Sequence, residues 1–161
     1  MTTIATDKSL QEHLLYLLNG DGAHVDFDAA VKDLPANLRG KRPQGVEHSP
    51  WEVLEHMRIC LWDVLEFLRN PGHVPPEFPA GYWPGMQTPP DEKAWTRSVE
   101  SFRADLKALQ ALISSRSTEL LMPIPHADGQ SILRKVMMIA DHNAYHLGQL
   151  VLLRRLLGSW Q

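Results

Sequence analysis

Residues 49–70 read SPWEVLEHMRICLWDVLEFLRN. Ser49 followed three positions later by Glu52 is a capping-box pattern, and Pro50 occupies the first helical position, where a missing N–H costs nothing. A helix is therefore expected to start at Pro50. Leu54, Met57, Leu61, Leu65 and Leu68 recur at steps of three and four and draw one apolar stripe along it. Asn70-Pro71-Gly72 ends it, after roughly 30 Å at 1.5 Å per residue. Downstream, Pro71 to Pro90 holds seven of the chain's 12 prolines. Prolines lack the N–H donor and restrict the residue before them, so this segment is expected to be a long crossover rather than a helix interior or central strand. Trp95, Val99, Phe102, Leu106, Leu109 and Leu112 then restore the helical pattern, with Asp91 and Glu92 near the favourable end of the helix dipole. Leu133, Val136, Ala140, Leu147, Leu150 and Leu157 mark a further helix from about Ser131 to Leu157, with Gly158 placed as its cap. Upstream, Leu10, Leu14, Leu17 and Leu18 give a first helix to Asn19-Gly20. Phe27, Ala30, Val31 and Leu34 continue it after a break at Gly20-Asp21-Gly22. No segment alternates with period two, so the fold class expected is all-α: a four-helix bundle with a long Pro-rich crossover between its second and third helices.

Composition narrows the function. With 161 residues the chain fits one domain, 1–161, and 43% hydrophobic with 22% charged residues is ordinary globular composition. Sixteen Lys+Arg against 19 Asp+Glu give a net charge of −3 without long runs of one sign, which argues against a nucleic-acid partner. The single cysteine, Cys60, excludes an intramolecular disulfide and a multi-cysteine metal cage and suits a reducing cytoplasm. No apolar run is long enough for a secretory core or a membrane span, so a cytoplasmic protein with no membrane partner is expected.

Eight histidines stand out against this background. His142 and His146 lie four apart, which puts both imidazoles on one face of the last helix at a spacing that permits one metal ion. Met138, Ile139, Gln149 and Leu153 lie one or two turns away on that side, a mostly apolar set that points the pair into the bundle. His56 is the natural third ligand, since it shares an inward stripe with Val53, Cys60 and Phe67. Buried imidazoles need partners, and either a metal or hydrogen bonds within the core answer that need. Asn143 follows His142 where the zinc-protease motif has its glutamate, so this is not a protease signature. His13, His24, His48, His73 and His126 are read as surface, loop or capping residues. Cys60, which could be a nucleophile or a fourth ligand, is read as small core filling. Asp141 and Asn143 are assigned to capping or surface contacts and Gln149 to support of a ligand; no general base is assigned.

Ser49-Pro-Trp-Glu-Val-Leu-Glu-His56-Met, followed far downstream by Asp141-His142-Asn-Ala-Tyr-His146-Leu-Gly-Gln149-Leu, resembles the DinB/YfiT-like superfamily of small four-helix proteins, distinct from the DNA polymerase that shares the name. The resemblance covers most of the chain. It implies an up-down-down-up bundle, often a homodimer, with a divalent metal such as zinc or nickel, or iron, held by His56, His142 and His146. It further implies a small-molecule substrate and a metal-dependent transferase that uses a low-molecular-weight thiol. A metal-dependent hydrolase of small esters or amides and a non-catalytic metal-binding protein are the alternatives. The proline-rich segment Phe78 to Met86 departs from the better-understood branches, and Tyr82 and Trp83 within it are expected to form either a lid or substrate wall, or an ordered crossover packed on the helices or on a second subunit.

Overall fold

A computed structural model describes residues 2–20, 22–115 and 119–160. Its elements are helical: α1 (Thr2–Asn19), α2 (Phe27–Val31), α3 (Pro50–Arg69), α4 (Ala94–Ser114) and α5 (Ile132–Leu156), with short 3-10 turns at Ala36–Leu38 and Ala80–Tyr82. Among the described residues no strand forms, and one isolated bridge pairs Pro123 with Ser131. The all-α expectation holds. The chain breaks between Asn19 and Phe27 as the glycines suggest; Asp21, in the middle of that break, lies outside the described residues.

The cap read at Ser49 is complete. Ser49 Oγ accepts from the Glu52 N–H at 3.2 Å, and the Glu52 carboxylate accepts from the Ser49 N–H at 2.8 Å. Ser49 Oγ also donates to the Gln87 carbonyl at 2.7 Å, which ties the end of the crossover to the start of α3. At the far end of the chain Ser131 caps α5, and Gly158 takes a positive φ of 69° just beyond it, a conformation a β-carbon would strain. The start of α4 is different. Its N-cap residue, Lys93, contributes no side chain, and Asp91 instead accepts from the Lys93 N–H and pairs with Arg97.

α3 packs on α4 and α5, and α1 packs on the same two, so the four long helices close into a ring around one core. Leu54, Met57, Leu61 and Leu65 of α3 are almost wholly buried and meet Phe102, Leu109 and Ile113 of α4 with Val136, Ile139 and Leu150 of α5 in a single cluster. Leu14 and Leu18 of α1 close the remaining side. α2 lies against α5 and stacks its Phe27 on Phe102 of α4 with ring centroids 4.0 Å apart. Arg154, buried at the end of α5, donates to the Ala30 carbonyl at 2.8 Å and to the Ser159 carbonyl at 2.9 Å, and so binds α2 and the C-terminal segment together.

On α5 the buried stripe is Val136, Ile139, Asn143, His146, Leu150 and Leu153. Met138, placed in the interior by its spacing, is instead 48% exposed, because at 100° per residue it falls beside that stripe rather than on it. Asn143, assigned to capping or surface contacts, is buried. His142 therefore stands at the margin of the core, and His146 one turn on stands inside it. No helix among the described residues is long and apolar enough to cross a membrane.

Candidate metal centre

α3 and α5 are neighbours, and their histidines meet. The His142 and His146 ring centroids are 4.4 Å apart, and that of His56 lies 4.9 Å from His142 and 4.6 Å from His146. The Nε2 atoms of His56 and His142 are 3.0 Å apart.

Two carbonyl-type oxygens settle the tautomers. His56 Nδ1 lies 2.8 Å from the Tyr82 carbonyl and His146 Nδ1 lies 2.7 Å from Gln149 Oε1. A carbonyl oxygen only accepts, so neutral His56 carries its proton at Nδ1 and a lone pair at Nε2, and with the Gln149 amide oxygen turned to the ring neutral His146 does the same. His142 then donates from Nε2 to His56, and its buried Nδ1 has no hydrogen-bond partner. Burial, the largest cause in each case, holds all three imidazoles below the ordinary histidine range. His146 is pushed down to about 4, first by burial and then by His142. All three are neutral at pH 7, the state a metal ligand requires.

The crossover builds the other wall. Trp83 stacks on His56 with centroids 3.9 Å apart and planes 3° from parallel, and on its other face stacks His48 at 4.0 Å. Tyr82 donates its hydroxyl to Asp63 on α3 at 2.9 Å, while His73 holds the other Asp63 oxygen at 2.7 Å. The segment read as either a lid or a packed crossover is thus packed on the helices and also walls the cluster. Its Trp83 separates two clefts. The larger, about 710 Å³, is bordered by the three histidines with Cys60, Phe78, Tyr82, Lys135, Met138 and Tyr145. The smaller, about 400 Å³, is bordered by His48, Gln149, Leu152 and Leu156. His146, Trp83 and Tyr145 face both.

Residues outside the expected set also reach this place. The donor atoms of His56, Cys60 and His142 all lie within 4.8 Å of one another. Cys60 packs against the core, as its apolar stripe suggested, but its sulfur sits 3.7 and 3.8 Å from the two ring nitrogens of His56. The signal was available in the sequence: Cys60 follows His56 by four, the spacing that drew attention to His142 and His146. His48 had no such signal, because only the folded crossover brings Trp83 onto it. Its Nδ1 is buried without a partner. His13 and His24 are exposed, and His126 bonds the Phe67 carbonyl at 2.6 Å.

His146 is not in that group of donors within 4.8 Å, but the three histidines fit a divalent ion on three counts. Two nitrogens on one tetrahedral zinc at the usual bond length stand roughly 3.3 Å apart, close to the separation of the two Nε2 atoms. The outward nitrogens of His56 and His146 already have the acceptors that fix a ligating imidazole. The orphaned Nδ1 of His142 can take up the proton that Nε2 would surrender. A family model described as the DinB superfamily matches residues 21–150. No curated protein and no solved structure matches the chain.

Proposed function

This chain belongs to the DinB superfamily, and from that premise we propose that it is a divalent-metal-dependent transferase that joins a small thiol to an electrophilic small molecule, with His56, His142 and His146 holding zinc or nickel. The observation that carries the reading is the convergence of three neutral imidazoles from two helices at the edge of a cleft, two of them fixed with Nε2 unprotonated. When bound, such an ion lowers the pKa of a thiol and stabilises the nucleophilic thiolate at neutral pH.

The chain's own residues supply the remainder. Tyr82 and Gln149 orient two of the rings and hold their protons at Nδ1. Trp83 covers His56 from the crossover side, and Phe78, Met138 and Tyr145 give the larger cleft an exposed apolar wall on which an incoming electrophile can pack. Lys135 is the cation on that wall. We further propose a homodimer, supported by the exposed apolar side chains Met137, Met138, Tyr145, Leu152 and Leu156 along α5 and measurable by sedimentation.

Elemental analysis of the purified protein tests the site. The wild type is expected to carry close to one ion per chain and the triple variant His56→Ala, His142→Ala, His146→Ala almost none; equal metal in both would overturn it. A panel of small thiols with electrophiles, run beside small esters and amides, tests the reaction. Turnover that needs a thiol and stops with a chelator supports transfer, whereas thiol-independent cleavage of esters or amides would replace it by hydrolysis.

A further inference from the structure

We infer that Cys60 is a fourth donor to the ion at the histidine cluster, so that the resting centre is a set of three nitrogens and one sulfur, and that an incoming thiol takes the sulfur's place while its proton passes to Cys60. The inference rests on the metal reading of the three histidines but makes a separate claim about this side chain. Its basis is position. Cys60 Sγ lies beside the His56 ring, 3.7 Å from Nδ1 and 3.8 Å from Nε2, and the second distance is near the roughly 3.6 Å that separates a nitrogen and a sulfur bound to one tetrahedral zinc. Cys60 belongs with His56 and His142 to the group of donors that all fall within 4.8 Å of one another. It reaches the cluster from the turn of α3 directly after His56, with one side-chain torsion between its backbone and the sulfur.

The sulfur packs against the core on one side and borders the larger cleft beside His142 and Tyr82 on the other. A thiol in that place adds a soft donor to three imidazoles, a combination that suits zinc, nickel or cobalt and disfavours magnesium or calcium. The bond changes balance simply: the Cys60 S–H bond breaks as the sulfur–metal bond forms, and the proton leaves to solvent through the cleft.

Cobalt(II) substitution reads the sulfur directly. Loaded wild type is expected to show visible bands of a low-symmetry site together with an intense near-ultraviolet sulfur-to-cobalt charge-transfer band. Cys60→Ser and Cys60→Ala should keep the visible bands and lose the near-ultraviolet one. Wild type that binds cobalt in a histidine-dependent way without that band would overturn the inference while leaving the histidine site standing. Wild type that binds no cobalt would remove both. Alkylation of the native protein by iodoacetamide gives the same answer without a variant. Metal loading should slow modification of Cys60 at least tenfold relative to chelator-treated protein, and equal rates would overturn the inference.

Discussion

His146 is the residue whose environment makes the clearest demand. Its pKa falls from 6.5 to about 4 on folding, so between those values the unfolded chain binds more protons than the folded one. Stability then rises with pH across that window: the histidine costs the fold nothing above it and its full penalty below it. His56 and His142, also shifted down, act in the same sense. Chelator-treated protein is therefore expected to lose melting temperature as pH drops from 6.5 toward 4, and His146→Gln should flatten the curve. A pH-independent melt would contradict the burial of these rings. Gln149 can be tested at the same scale. Gln149→Leu removes the acceptor that fixes the His146 tautomer, and metal affinity should weaken by about 10–100-fold with helical content unchanged, measured by competition with a chromophoric chelator. The three histidines and Gln149 could be picked out from the sequence because helical spacing places them on defined faces. The part played by the Tyr82 carbonyl could not, since a backbone acceptor leaves no trace in residue type.

At the scale of elements, local chemistry foretold the helices best where caps and stripes agreed. α3 runs from Pro50 to Arg69 and α5 from Ile132 to Leu156, close to the bounds set by Ser49, Asn70, Ser131 and Gly158. The path of the crossover was not legible, because its prolines say what it cannot be and not where it packs. Asp63 decides that path by holding Tyr82 and His73 at once, a pairing across 10 and 19 residues that no periodicity encodes. The Ser49 cap carries two loads, since its hydroxyl accepts from α3 and donates to the crossover. Ser49→Ala should cost about 0.5–2 kcal/mol, toward the upper end because the Gln87 carbonyl also loses its donor. Urea denaturation measures it, and no change in midpoint would show that the cap is redundant.

For the molecule as a whole, one core has to hold α3 and α5 in register, because the histidines proposed to hold one ion come from both. Leu61 is fully buried at the centre of α3, one residue from Cys60. Leu61→Ala should destabilise by about 2–5 kcal/mol, read from the shift of the denaturation midpoint. The ring of four helices followed from four amphipathic blocks. The buried tie from Arg154 to α2 did not, because a guanidinium at the end of a helix reads first as a charge placed for the dipole.

The placement of Trp83 between two imidazoles also gives the protein an optical probe of its own. An indole in face contact with His48 and His56 is quenched differently when either ring gains a proton or one of them gains a metal. Subtracting the emission of Trp83→Phe removes the other four of the chain's five tryptophans. The remaining signal should follow occupancy of the centre in real time, in a protein for which no substrate has to be known.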